Sequence, residues 1–202
     1  KQSPSRLEIP LLSHSRHTRW QVRMYAARAA AAADDVATLE RLAMDENDNV
    51  REAALPALKR LKGDAAEPNF LAALGRGDYQ LLRTAARELA GMRVTPALTA
   101  ALLDALSRIT AERRDTSRDP RVAIVERLRE FGTAQHRGKL LPLLRDFDPA
   151  VASAAAATLG AWTGESFAID PQPLPRPPLP TAAELSIARG NAAFLVMEGG
   201  SE

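Results

Sequence analysis

Apolar and small residues recur at a helical spacing along most of the chain. After Val22 they follow at offsets of 3, 4, 7, 8 and usually 11 residues, which is the pattern of one buried face of an α-helix. The same pattern starts at Val50, Leu82 and Val151, and a shifted copy lies near Val122. The spacings of 28, 32, 40 and 29 residues between these starts predict a repeated helical unit.

A shorter amphipathic segment precedes each of the later helices. These segments cover residues 36–44, 67–74, 96–111 and 139–145. Before each long helix stands a residue whose side-chain oxygen can accept from the free N–H groups of the first turn. These predicted caps are Thr18, Asp48, Asp78, Asp119 and Asp148. The pattern therefore predicts a chain of helix pairs, each about 30 residues long.

The composition agrees with an all-helical chain. Hydrophobic residues make up 46% of the 202 residues, but aromatic residues only 4%. Because strands favour aromatic and β-branched side chains, this composition argues against a β-sandwich or barrel. No apolar run reaches the roughly 18 residues that a membrane-crossing helix needs, so we expect no membrane span.

The helix pairs resemble bacterial HEAT repeats. Residues 48–54 read Asp-Asn-Val-Arg-Glu-Ala-Ala, close to the Val-Arg-x-Ala-Ala core of that family, and residues 20–27 and 148–155 are similar. The resemblance covers residue 17 to about residue 163. It implies an all-α fold, an α-solenoid of about five HEAT-like helix pairs, in which small alanine faces let neighbouring helices approach closely.

Proline content and hydropathy change towards the C-terminus. We divide the chain into a lead-in or remnant of an earlier repeat at 1–16, a solenoid at 17–164, a proline-rich linker at 165–180, and a short helix plus strand at 181–202. Six prolines among residues 170–180 favour an extended spacer.

The last segment carries a second resemblance. A short helix at 182–189 and a strand-like run at 192–198, ending on Gly-Gly, are similar to the start of a cyclophilin-type peptidyl-prolyl isomerase that follows HEAT repeats in some bacterial proteins. The catalytic segments of that family have no counterpart among these residues. The resemblance therefore implies that this chain is not itself an enzyme, although its parent protein is an isomerase.

Arginines stand one residue after the start of the pattern in the first three copies. In HEAT repeats such arginines pair with aspartates in the turns of an adjacent repeat, so the resemblance implies a structural ladder. Its predicted members are Arg23, Arg51, Arg83, Asp48, Asp78, Asp119 and Asp148. The alternative is that these arginines face a groove and contact phosphates. Ala123 and Ala152 at the same position in the last two copies weaken both interpretations.

The segment 108–121 is the best candidate for a contact with a partner. The 40-residue spacing indicates an insertion here, rich in arginine and interleaved with acids. The predicted contacts are Arg108, Arg113, Arg114, Arg118 and Arg121. A longer helix followed by a solvated loop explains these charges structurally, whereas the functional interpretation is a protruding loop that binds an acidic partner.

The sequence gives little support for a metal site or for a DNA glycosylase. The three histidines, His14, His17 and His136, lack metal-ligand spacing, and the chain has no Cys, so we expect no metal and no cofactor. Trp20 and Trp162 are too far apart in sequence to share the base pocket of a HEAT-like DNA glycosylase.

Two functional hypotheses remain open. Lys and Arg number 27 against 25 Asp and Glu, which is not the strongly basic balance of a nucleic-acid-binding protein. Our first hypothesis is therefore a non-catalytic protein-interaction or scaffold module. Residues 1–33 nevertheless hold six basic residues and one acid. The alternative is nucleic-acid binding through this basic N-terminal third and the loop Arg108–Arg121.

Overall fold

The computed structural model describes residues 13–174, which form an α-solenoid, as predicted. The α-helices are α1 (Trp20–Ala32), α2 (Val36–Leu42), α3 (Asp48–Lys62), α4 (Glu67–Leu74), α5 (Tyr79–Glu88), α6 (Pro96–Ala111), α7 (Arg118–Phe131), α8 (Arg137–Leu140) and α9 (Pro149–Thr163). Short 3₁₀ segments lie at Gly63–Ala66, Asp115–Ser117, Ala134–His136 and Leu141–Arg145. The predicted helix at 182–189 and strand at 192–198 lie outside the described residues.

The helices form two layers. In the odd layer, α1 packs on α3, α3 on α5, α5 on α7, and α7 on α9. In the even layer, α4 packs on α6, and each even helix also packs against the odd helix that follows it, as α2 does on α3. Because each pair contacts mainly its neighbours, the fold is stabilised by a series of nearest-neighbour interfaces.

Alanine allows the close packing of the odd layer. Ala54, Ala86 and Ala155 have no exposed surface, which confirms the buried face predicted from the pattern. Leucines such as Leu58 and Leu82 are also fully buried. The interior is close-packed, so an added methylene at an alanine position has to displace a neighbour.

The predicted caps are correct at two positions. Asp78 accepts from the N–H of residue 81, and Asp148 accepts from the N–H groups of residues 150 and 151. At α3 the prediction was wrong by one residue, because Asn47 is the cap and Asp48 is already in the first turn. Thr18 was also wrong, since α1 begins after Arg19 without a side-chain cap.

Helix α7 corrects the repeat pattern. It continues directly from a 3₁₀ turn without a side-chain cap, and Asp119 lies within its first turn. Pro120 is buried, and buried or partly buried residues follow it at offsets of 3, 4, 7, 8 and 11. The fourth copy of the pattern therefore starts at Pro120 and not at Val122. This register is hard to predict from the sequence, because this copy begins with a proline whereas the other copies begin with Val or Leu.

The first part of the predicted linker lies along the last pair. The N–H of Asp170 donates to the carbonyl of Leu144 over 2.9 Å, and its carboxylate pairs with Arg145 at 3.2 Å. Phe167 packs against the core. Residues 165–174 are thus attached to the solenoid, while the rest of the proline-rich stretch lies outside the described residues.

Candidate protein-binding surface

Two arginines of the odd layer form buried ion pairs with the next repeat. Arg23 in α1 donates to both carboxylate oxygens of Asp45, over 2.7 and 2.8 Å, and to Glu46 over 3.0 Å. It also donates to the carbonyls of His17 and Thr18. The hydrogen bonds that Arg23 donates to the Asp45 carboxylate are the main reason why the pKa of Arg23 is raised above its ordinary value, although burial opposes this.

The second buried pair joins Arg121 in α7 to Asp146. Arg121 Nη1 lies 2.5 Å from Asp146 Oδ2, and Arg121 has no exposed surface. Its guanidinium also stacks over the ring of Phe147, 4.4 Å from the centroid. The prediction that Arg121 is a surface contact was wrong. With Pro120 as the start of its copy, Arg121 takes the position that Arg23 has in the first copy.

The carboxylates of both pairs stand at equivalent positions. Asp45 lies two residues before the cap Asn47 and accepts its N–H over 2.9 Å. Asp146 lies two residues before the cap Asp148 and accepts its N–H over the same distance. Asp45 and Asp146, which bind these arginines, are not among the predicted members of the ladder.

In the second copy, an arginine occupies the turn position that holds an aspartate in the first and fourth copies. Arg76 stands two residues before the cap Asp78 and reaches back to Asp48, at 2.7 Å. Arg51 donates instead to the carbonyls of Met44 and Asp45, and lies 3.9 Å from Asp48. Burial, followed by the nearby charge of Arg76, lowers the pKa of Arg51 below its ordinary value. Of the predicted members, the structure thus brings Arg51 and Asp48 together, but only at the edge of ion-pair distance.

The third copy leaves its arginine outside the ladder. Arg83 Nε is buried and has no hydrogen-bond partner among residues 13–174. The equivalent turn position holds Asp115, which is exposed at the start of a 3₁₀ turn. Asp119 lies 4.0 Å from Arg118, on the surface. Among the described residues, neither Asp115 nor Asp119 forms an ion pair with Arg83.

The remaining arginines of the insertion are exposed. Arg108 uses its guanidinium to bind the carbonyls of Leu74 and Arg76, which fastens α6 to the preceding repeat. Arg114 lies 3.7 Å from Glu112, and Arg118 lies 3.9 Å from Asp148. These weak surface pairs leave Arg113, Arg114 and Arg118 accessible to a partner.

A groove opens beside this loop in the even layer. We call it the α6 groove; it lies between α6 and the segment Arg137–Arg145. One hollow of about 290 Å³ is lined by Leu103, Leu106, Ser107, Thr110, Ala111, Lys139, Pro142 and Leu143. A neighbouring hollow of about 220 Å³ adds Arg113, Arg145, Asp146, Phe147 and Gln172. Because α8 is a single turn and Pro142 lies in the 3₁₀ stretch that follows, this segment does not close against α6 as α4 does.

His136 and His17 accept local backbone hydrogen bonds. His136 Nδ1 accepts from the N–H of Thr133, and its ring meets Trp162 edge-on, with centroids 6.3 Å apart. His17 Nδ1 accepts from the N–H of Arg19. Across residues 13–174, no group of three or more His, Asp or Glu residues is arranged to hold a metal ion. Over the same residues, no helix has both the length and the apolar character needed to cross a membrane.

Comparisons with known proteins find a family model over part of the chain and a solved structure with a similar fold. Residues 9–91 match the family model of HEAT repeats. No curated protein matches the sequence. Among solved structures, the chain is similar to one in the complex of CpcE and CpcF of phycocyanin lyase from Nostoc sp. PCC7120. The TM-score is 0.57 and the identity 22%, over 82% of this chain and 66% of that one, just under two thirds of its length. At this identity the likeness shows the fold, which is that of a HEAT-like α-solenoid.

Proposed function

We propose that the chain is a protein-interaction or scaffold module that binds a partner protein through the surface of α6, the loop that follows it, and the α6 groove. The observation that carries this proposal is the combination of three accessible arginines with an open groove on a rigid stack of helices. Rigid scaffolds that present loops are a common arrangement for binding. The solved relative comes from a complex of two proteins, which supports the same role.

A photo-crosslinking experiment tests this proposal. A photoreactive amino acid placed at Arg114 should capture a defined partner in cells that express the protein. The same amino acid at Arg87, an exposed residue of α5 in the other layer, is the matched control. Capture at both positions alike, or at neither, contradicts the proposed surface.

Nucleic-acid binding is the alternative outcome. Titration with duplex and single-stranded DNA at low and moderate salt distinguishes it, because phosphate contacts give an affinity that falls steeply with salt. Micromolar binding with such a slope would favour the alternative. Two of the basic residues on which it depends are already engaged, since Arg23 and Arg121 form buried ion pairs.

The proposed role of this chain is non-catalytic, and the isomerase stays a proposal about its parent protein. The support is the resemblance of residues 181–202 to the start of a cyclophilin-type domain. A prolyl-isomerase assay on this chain and on the product of the full reading frame tests the idea. Activity in the longer product alone supports it, while an inactive, folded longer product contradicts it.

A further inference from the structure

The α6 groove has the chemistry of a peptide site. We propose that it binds an extended segment of the partner protein in which an aliphatic side chain is flanked by acidic residues. This inference rests on the proposed function, since it specifies which part of the partner is recognised. It depends on the size of the groove, its apolar floor and the charges along its rim.

The floor of the groove accepts apolar side chains. Leu106 and Leu143 line it with only 3% and 5% of their surface exposed, and Leu103 and Pro142 continue the apolar lining. The two hollows, of about 290 and 220 Å³, share Thr110, Pro142 and Leu143 and so form one continuous groove. Each hollow has room for a side chain of an extended peptide.

The rim of the groove is positive. Arg113 and Lys139 line the two hollows, are exposed, and form no ion pair within the described part of the chain. Arg145 is a third cation, held 3.2 Å from Asp170 in an exposed pair. Asp146 also lines the groove, but its carboxylate is occupied by Arg121. The available charge complements Asp or Glu on the partner, and basic segments are disfavoured.

The walls of the groove are fixed before a partner arrives. The Arg121–Asp146 pair holds the turn at one end, and the backbone hydrogen bonds of Asp170 and Gln172 hold residues 165–174 against the 3₁₀ segment. A preformed site spares the partner the ordering cost that weakens binding to mobile loops. An extended segment can therefore bind here without rearrangement of the solenoid.

Selection from a phage-displayed library of short random peptides, with the full chain as bait, tests the proposal. We expect enriched peptides in which Asp or Glu flanks Leu, Ile or Val. The double variant Arg113→Glu/Lys139→Glu should bind these peptides about tenfold more weakly, as the loss and reversal of two rim charges predicts. Peptides in which Lys replaces the acids should recover binding to that variant.

A matched control separates local from overall charge. Arg87→Glu/Arg129→Glu makes the same change in net charge at two exposed residues of the odd layer, and should leave peptide binding unchanged. Ser107→Phe provides a variant with no change in charge, because it places a ring over the groove from an exposed position of α6. It should likewise weaken peptide binding, and thermal unfolding should show that it remains folded.

The possible results decide between clear alternatives. Enrichment of acidic aliphatic peptides that respond to the groove variants and not to the control supports the inference. Failure to enrich peptides, selection of basic ones, equal loss in the control, or displacement of the peptides by single-stranded DNA overturns it. If crosslinking at Arg114 but not at Arg87 still captures a partner, binding through α6 and its loop stands and only the assignment of the groove fails.

Discussion

Removing one member of the Arg121–Asp146 pair should destabilise the solenoid more than any surface charge change. Arg121 is fully buried and Asp146 is 7% exposed, so neither charge can turn to water when the other is lost. Asp146→Asn keeps the shape of the side chain and an oxygen for the N–H of Asp148, but leaves the guanidinium without its counter-charge. For a broken buried pair we expect a loss of about 3–5 kcal/mol in the free energy of unfolding.

The loss is large against the stability of a domain of this size. With a total of about 5–15 kcal/mol, Asp146→Asn should remove a substantial fraction of it. In a chain of about 150–250 residues, each kcal/mol corresponds to about 2–4 °C, so the melting midpoint should fall by about 6–20 °C. Arg121→Met should cost less, about 1–3 kcal/mol, because Asp146 keeps the N–H of Asp148 as a donor.

The assay is a double-mutant cycle by urea unfolding, with an exposed pair as the control. Arg121→Met/Asp146→Asn should be more stable than the sum of the single changes predicts, by about 2 kcal/mol, since no buried charge is left unpaired. Arg60→Met removes an exposed pair with Asp34 and should cost less than about 1 kcal/mol. Additive single changes, or an Asp146→Asn effect no larger than that of Arg60→Met, would refute the reasoning.

Three further predictions concern packing and a titrating group. Ala86→Leu adds bulk at a fully buried helix contact and should lower the free energy of unfolding by about 1–3 kcal/mol, measured in urea; an unchanged midpoint would contradict the packing. Gly132→Ala should displace the ring of Trp162, because a Cβ there would lie 2.4 Å from it, and a shift in tryptophan fluorescence should report this. Burial, and then the hydrogen bond to Glu112, raise the pKa of Tyr79 above its ordinary value of 10.0. The raised pKa contributes stability to the folded protein below pH 10, and this stability is lost as the pH rises through the pKa of Tyr79 in the folded state. Glu112→Gln should shift the absorbance change of the Tyr79 phenolate to lower pH. An unshifted titration curve would contradict the contact between Tyr79 and Glu112.

The positions of the helices could be predicted from the sequence because their buried faces are local patterns. The predicted segments at 67–74 and 96–111 coincide with α4 and α6. The segment at 139–145 was placed correctly but divides into α8 and a 3₁₀ stretch, because Pro142 removes a backbone donor. The start of the fourth copy at Pro120 could not be predicted, because the other copies begin with Val or Leu.

The pairing of charges could be predicted only in part. The recurring arginines predict a ladder, but the acids that pair with Arg23 and Arg121 are Asp45 and Asp146 and not the aspartates at the helix starts. Asp45 was missed because it stands in the same short turn as Asp48, and only its position two residues before the cap distinguishes it. The α6 groove has no sequence signal at all, since it joins residues about 30 positions apart that belong to no common motif.

The groove and the ladder share one residue, which links stability to binding. The carboxylate of Asp146 binds Arg121, and Asp146 also lines the α6 groove. Loss of the ion pair should therefore increase the mobility of the groove residues that would contact a partner. Arg113 and Lys139 line the same groove but are exposed and form no ion pair among residues 13–174. Changes at Asp146 should therefore weaken peptide binding and lower the free energy of unfolding together, whereas changes at Arg113 and Lys139 should weaken binding alone. Arg113 lies in the loop that follows α6 and Lys139 in α8, so the two exposed cations come from opposite sides of the groove.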